Sequence, residues 1–334
     1  MSSGLELALA DQELDAHVRH GLDDVELRLR EAVGYADPLA HDAARHLILA
    51  GGKRVRPTLT LITAHLGDAA RPEILDAAVV VELTHLASLY HDDVMDSAPV
   101  RRGAPAAHEV WGNTVAILTG DLLFARASRV VAGLGPQAVR IQSETFERLC
   151  LGQLHETIGP RPGEDAVAHY LQVLSDKTGS LIATSARFGA MFAGCAPEVT
   201  DTLIQFGERV GVAFQLADDV IDLASDGQES GKTPGTDLRE GVPTLPVLLA
   251  RQAAEKVGDP ASTALVEALD ADLSSDAALA EAVGLLRGHP AMEAARAEAH
   301  RWSDDAVAAL APLPAGTVKD ALAAFAEAVV ARTR

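Results

Sequence analysis

The chain has 334 residues, which suits one large domain or two ordinary ones, and its 48 acidic against 28 basic residues leave a formal charge of −20. That balance excludes a nucleic-acid backbone as partner, because such a backbone needs a net basic face; a phosphorylated small molecule needs only a local basic cluster or metal ions. Hydrophobic residues supply 48% and aromatics only 4%, so Ala, Leu and Val must fill the core, and the two cysteines, Cys150 and Cys195, are too few for a disulfide framework and fit a reduced, cytoplasmic protein.

The opening stretch MSSGLELALADQELDAHVRH carries acids inside its short apolar run, and no signal peptide is expected. No later stretch approaches the roughly 18 uninterrupted apolar residues of a membrane span. Helical periodicity then dominates. Apolar residues return every three or four positions in LDDVELRLREAVGYA (22–36), LDAAVVVELTHLASLYHDDVMD (75–96), TVAILTGDLLFARASRVVAGL (114–134) and TLIQFGERVGVAFQLADDVIDLA (202–224). Breakers fall between these segments: GGKRVRP (51–57), GDAARP (67–72), SAPVRRGAP (97–105), GPRPGED (159–165) and SDGQESGKTPGTDLREGVP (225–243). Strictly alternating β-branched runs are missing, so the chain reads as all-α. No composition shift marks a linker, and one domain over 1–334 is expected. The Ala-rich stretch 251–334 reads as scaffold.

Two segments conflict with this pattern. HDDVMD (91–96) and ADDVID (217–222) place carboxylates at the end of apolar helical runs, where a buried face belongs. On a helix Asp92 and Asp96 share a face, with Asp93 beside them; Asp218, Asp219 and Asp222 repeat the spacing. Like charges so placed are destabilising unless cations neutralise them. An oxygen-only ligand set without His or Cys suits a hard ion, and Mg²⁺ shares its shell with waters and substrate phosphates. One such run alone reads as a solvated helix end; two, each behind an apolar stretch, read as facing clusters that hold a diphosphate through Mg²⁺. Cations accompany them. Lys53, Arg54 and Arg56 lie in a Gly-led loop before a helix, a place suited to gripping phosphate. Arg101 and Arg102 follow the first acidic cluster, Lys177 and Thr178 open SDKTGSLIATSARFGA, and Lys232 lies in ESGKTPGTDLREG.

Together these residues resemble the trans-isoprenyl diphosphate synthases, the polyprenyl synthetase family, from about residue 45 to 250. GGKRVRP, ELTHLASLYHDDVMDSAPVRRG, WGNTVAILTGDLLFARA, KTGSLIATSARFGA, GVAFQLADDVIDL and GKTPGTDLREGVPTLPVLLA occur in the family's order. The resemblance implies a single large helical bundle around a deep central cavity, usually a homodimer, that joins isopentenyl diphosphate to an allylic diphosphate and releases diphosphate. It implies Mg²⁺ at Asp92, Asp93, Asp96, Asp218, Asp219 and Asp222. It places isopentenyl diphosphate on Lys53, Arg56, His85 and Arg102, and the allylic diphosphate on Arg101, Lys177, Thr178, Gln215 and Lys232. The Mg²⁺ ions and the cations, Lys177 and Lys232 among them, would stabilise charge on the leaving diphosphate. The proton is then lost to the released diphosphate, so His85 is a hydrogen-bonding residue and not a base. His91 and His155 read as structural, and Gln153 is left open. In EGVPTLP, Val242 stands where the family often has Lys, which weakens the expected grip on the allylic diphosphate.

Product length is expected to depend on the turns below Asp92. Ser88 and Ala87 lie four and five residues back, about 6–7.5 Å along the axis, and both are small. Leu83 and Thr84, a turn further, obstruct moderately, while Tyr90 points away. The floor therefore reads as open, and a product longer than farnesyl diphosphate is expected, from geranylgeranyl to long-chain polyprenyl. Two rivals stand beside this reading. A class I terpene cyclase would carry a different second acidic motif and an aromatic-lined pocket, whereas this chain has DDVID and 12 aromatics (Phe 7, Tyr 3, Trp 2). A non-catalytic subunit of a heteromeric synthase would lose acidic positions, and all six are present here.

Overall fold

The computed structural model describes residues 9–224, 234–239, 241–258 and 260–331. Among them the chain is helical, as the periodicity predicts. The strands are two-residue pieces, β1 (Val100–Arg101) and β2 (Ala104–Pro105), paired antiparallel across the VRRGAP turn. The helices are α1 (Gln12–Ala32), α2 (Pro38–Leu49), α3 (Val55–Ala64), α4 (Glu73–Met95), α5 (Ala107–Trp111), α6 (Asn113–Gly133), α7 (Pro136–Ile158), α8 (Ala166–Leu174), α9 (Ser180–Phe192) and α10 (Pro197–Ala224). They continue as α11 (Thr236–Arg239), α12 (Leu245–Val257), α13 (Pro260–Leu269), α14 (Asp276–Arg287), α15 (Pro290–Ala309) and α16 (Thr317–Ala331). Side-chain caps fix several starts: Asp11 accepts from the Leu14 amide, Asp37 from that of Ala40 ahead of Pro38, and Asp165 from those of Val167 and Ala168.

The chain divides into two compact units. The first comprises Met1–Leu149, Ser180–Glu208 and Val307–Phe325. Its axis is α4, whose 23 residues are apolar around most of the circumference and bury Ile74, Val79, Val80, Val81, Leu83, Leu86 and Tyr90. A helix hydrophobic on all sides belongs inside a domain rather than on its surface. One side of α4 (Val79, Leu83, Leu86, Ala87, Tyr90) packs with α1, α2 and α6, and another (Ala77, Val80, Val81) with Ile141 and Leu149 of α7 and Phe188 of α9. The Tyr90 hydroxyl donates to the Ala43 carbonyl at 2.5 Å and ties α4 to α2. Helix α3 packs on α9 with a backbone approach so close that a Cβ at Gly189 would collide with the Thr60 carbonyl.

The second unit comprises Cys150–Gly179, Arg209–Ala306 and Ala326–Arg334. In it α8 packs on α12, α12 on α13, and α13 on α14, around a core that includes Leu265, Leu279, Val283 and Leu286. Arg287 in the last turn of α14 donates through Nε to the Leu223 carbonyl at 2.6 Å. A guanidinium there satisfies a carbonyl of the last helical turn and suits the negative end of the α10 dipole. Part of the Ala-rich stretch read as scaffold thus holds the end of the helix that carries the second acidic cluster.

Candidate active site

In the first unit, the Gly-led loop turns sharply between α2 and α3, with Gly51 at φ 82°, Gly52 at φ 147° and Arg54 in the left-handed region at φ 47°. Gly52 is needed for space as well: a Cβ there would lie 2.7 Å from the Arg102 guanidinium. Arg102, itself at φ 54°, donates through Nη1 to the Gly51 carbonyl and to the Leu47 carbonyl at 3.2 Å. The loop and the turn after the first acidic cluster are thus joined. Lys53 lies half-buried in this loop and Arg56 in the first turn of α3. Burial lowers Arg56 to about 10 against the pull of Glu82, with the Arg102 charge adding to the fall; the group remains a cation at neutral pH.

His85 faces the same cluster. Burial, then the charges of Arg56, Arg102, Arg101 and Arg54, push its pKa well below the usual imidazole range. It is a neutral ring and can donate one hydrogen bond.

The three acids of HDDVMD have different surroundings. Asp92 is half-buried and Asp96, the C-cap residue of α4, is exposed, whereas Asp93 is 0% exposed. Asp93 accepts from Arg101 Nε at 2.6 Å through Oδ1, and its Oδ2 is buried without a hydrogen-bond partner among the described residues. An orphan carboxylate oxygen in the interior is costly and fits a site completed by a cation. Arg101, expected on the allylic diphosphate, is bound to Asp93.

The chain-length positions divide as well. Ala87 and Leu83 are buried in the cluster packed with α6, and Thr84 donates to the Val80 carbonyl at 2.8 Å and accepts from Gln142 Nε2 at 2.5 Å. Ser88 alone of the four is half-buried, with its hydroxyl on the His85 carbonyl at 2.9 Å.

In the second unit, SDKTG forms a π-turn, Ser175–Gly179, directly after α8. Such turns are frequent at functional sites. Lys177 donates to Glu156 at 2.5 Å, and Thr178 to Gln215 Oε1 at 3.3 Å. The Gln215 amide in turn donates to Asp219 Oδ1 at 3.0 Å, and the Tyr170 hydroxyl to Asp219 Oδ2. Asp219 is 5% exposed, with Asp218 and Asp222 half-buried beside it. Burial, with Asp237 and then Asp218 nearby, pushes the Asp219 carboxyl well above the ordinary range against its two hydrogen bonds. Val242 is half-buried, its amide donating to the Asp237 carbonyl at 2.9 Å. Lys232 lies outside the described residues.

Each unit therefore holds a DDxxD cluster with a common plan. The middle aspartate is turned inward and tied by side chains, and the outer two are more exposed. Both clusters sit in the last turns of long helices, α4 ending at Met95 and α10 at Ala224. Carboxylates there oppose the negative end of the helix dipole, so both positions favour a cation. Among the described residues, no three carboxylate, imidazole or thiol groups already converge into a closed metal site. Such open, oxygen-only sets fit a hard divalent ion that takes its remaining ligands from water and substrate.

Sequence reasoning assigned no role to Glu82, Tyr170 or Glu156. Glu82 had a signal, being a lone acid in the apolar run VVVELTHL. Tyr170 and Glu156 had none, since their partners Asp219 and Lys177 are distant in the chain.

Comparison with known proteins agrees with this geometry. The family model for polyprenyl synthetase matches residues 37–286. Nonaprenyl diphosphate synthase of Mycobacterium tuberculosis is 46% identical over 327 residues, which cover 97% of this chain and 96% of the relative. Among solved structures, geranylgeranyl pyrophosphate synthase from Corynebacterium glutamicum, complexed with calcium and isoprenyl diphosphate, aligns with a TM-score of 0.85 at 42% identity over 97% of this chain and 99% of that one. Polyprenyl synthase from Caulobacter crescentus, also complexed with calcium and isoprenyl diphosphate, aligns with a TM-score of 0.86 at 33% identity over 96% and 98%. The chain belongs to the polyprenyl synthetase family.

Proposed function

We propose that the chain is a prenyltransferase that condenses isopentenyl diphosphate head to tail with an allylic diphosphate, releases diphosphate, and makes a product longer than C15. The observation that carries this reading is the duplicated DDxxD cluster at two helix C-termini, accompanied in the first unit by a basic loop suited to a second diphosphate. The reading treats 1–334 as one functional domain, which the family match over 37–286 supports by spanning both units.

Asp92, Asp93, Asp96, Asp218, Asp219 and Asp222 would hold Mg²⁺, with Asp93 and Asp219 also tying the two helix ends from within. Bound there, Mg²⁺ supplies Lewis-acid stabilisation of the leaving diphosphate. Lys53, Arg56 and Arg102 bind isopentenyl diphosphate as cations, and neutral His85 donates a hydrogen bond to it. Arg101, Lys177, Thr178, Gln215 and Lys232 orient the allylic diphosphate. For Lys177 this means exchanging Glu156 for phosphate oxygens, and for Arg101 sharing its fork with Asp93. No side chain is assigned as a base, the proton passing to the released diphosphate.

The small residues Ser88 and Ala87 support a tail longer than farnesyl, and the nonaprenyl, polyprenyl and geranylgeranyl names of the relatives agree with it. A homodimer is part of the reading, supported by exposed Ile117 and Leu118 on α6 and Val139 and Phe146 on α7. A cytoplasmic setting is supported by two cysteines without a disulfide. No helix among the described residues is long and apolar enough to cross a membrane.

The test is incubation of the pure chain with isopentenyl and farnesyl diphosphates, with magnesium or with chelator, followed by sizing of the products. Magnesium-dependent products beyond C15 are expected. Farnesyl diphosphate left unextended by a chain that still carries a shorter allylic diphosphate to C15 refutes the length, a hydrocarbon from the allylic substrate alone favours a cyclase, and inactivity towards every allylic primer without a second polypeptide favours a heteromeric subunit.

A further inference from the structure

The loop GGKRVRP holds three cations, and the middle one is unlike its neighbours. Arg54 is 8% exposed and caps α3 from the left-handed region, a conformation that a residue with a Cβ adopts only when its surroundings enforce it. Its guanidinium donates through Nε to Glu26 of α1, through Nη1 to Glu82 of α4 at 2.9 Å, and through Nη2 to the Ile48 carbonyl at 3.3 Å. Nη1 also lies 3.4 Å from the Gly51 carbonyl. Every nitrogen of the fork is engaged inward, so Arg54 is not a ligand for substrate. Glu82, 1% exposed, is the buried anion of the cluster: it pairs with Arg54, and its charge also reaches Arg56 and Arg102.

We propose that Arg54, Glu82 and Glu26 form a clamp that presets the Gly-led loop, so that Lys53 and Arg56 are already in place when isopentenyl diphosphate arrives. The inference rests on the proposed function and assigns positioning residues within it. Two physical conditions require such a clamp. With Gly51 and Gly52 at positive φ, the loop before α3 has neither helix nor sheet to fix it. It must also hold Arg54, Arg56 and Arg102 near one another against their mutual repulsion, which the Glu82 carboxylate offsets. A loop ordered before binding spares the ligand the entropy of ordering it, and that gain appears in affinity for one substrate rather than in the chemical step.

Steady-state kinetics with both substrates varied test this on the full chain. In Arg54→Met the KM for isopentenyl diphosphate should rise about tenfold, while the KM for the allylic diphosphate and kcat stay within about twofold. Arg54→Lys keeps the charge without the fork and should fall between Arg54→Met and wild type. Because Arg54→Met strands a buried carboxylate and can fail to fold, the double variant Arg54→Met/Glu82→Met removes both charges together, a replacement that buried ion pairs tolerate well. It should melt cooperatively, below wild type because Arg56 and Arg102 lose the Glu82 charge, and its isopentenyl KM should still be raised. A normal isopentenyl KM in a folded double variant overturns the clamp, as does an equal rise of both KM values. If the wild type itself condenses nothing, the proposed function fails and takes the clamp with it; an active wild type with unaltered variants sinks the clamp alone.

Discussion

Asp93 and Asp219 are the middle residues of their motifs, and both lie beside the face their neighbours share and are turned inward. Asp93 is held by Arg101 and Asp219 by Tyr170 and Gln215, bonds that also orient each helix end. Substitution should separate the two kinds of aspartate. Asp92→Asn and Asp218→Asn should each lower kcat by about 10²–10³ with the fold intact, the scale seen when one electrostatic contact to developing charge is removed. Asp93→Asn leaves Arg101 without its anion and should lower the melting temperature as well as activity, as differential scanning fluorimetry would report. Equal thermal damage from Asp92→Asn and Asp93→Asn would contradict the division.

His85 supplies a second residue-scale prediction. Its folded pKa lies below the unfolded value of about 6.5, so the unfolded state takes up the proton first. The stability tied to the neutral ring is therefore complete above about pH 6.5 and lost as pH falls from there toward the folded pKa, at up to about 1.4 kcal/mol per pH unit. His85→Gln, with no such proton, should lose less stability than wild type between about pH 7 and 5.5, and chemical denaturation at the two pH values measures the difference.

At the scale of elements, α4 determines what can be changed below the acidic cluster. Ala87 is packed against α6 in the core, so Ala87→Phe should shorten the product and also overpack the α4–α6 contact, at a cost of about 1–3 kcal/mol. Product sizing and thermal melting on the same sample check both, and unaltered length with lowered stability would make Ala87 a packing residue only. The helical content, the breakers and both DDxxD clusters were legible because 3.6-residue periodicity and i, i+4 acids are local signals. What the sequence hid depends on distant partners or on backbone detail. The π-turn at Ser175–Gly179 has no local signature, and the capture of Asp219 by Tyr170 joins residues 49 apart. By sequence Arg54 belongs with the phosphate-gripping loop, because Lys and Arg in a Gly-led turn look alike; only Glu26 and Glu82, from two other helices, show that its fork is turned inward.

For the molecule as a whole, each of the two compact units carries one acidic cluster, and the proposed chemistry requires both. With a net charge of −20 and carboxylates at two helix C-termini, self-repulsion opposes the folded state. Divalent cations that bind the folded state should therefore raise stability, by about 2.7 kcal/mol at a hundredfold excess over Kd. A melting temperature that climbs with magnesium in wild type, and climbs less in an Asp92→Asn/Asp218→Asn chain, is the expected outcome. Identical curves for the two proteins would disconnect the clusters from the metal.

The burial of α4 on nearly every side has one more consequence. Most of its residues lie in the core of the first unit, so deuterium should enter its central amides mainly when that unit unfolds as a whole. Protection should persist along the helix almost to Asp92. The acidic end, with Asp92 half-buried and Met95 and Asp96 exposed at the helix terminus, should exchange sooner than the core behind it.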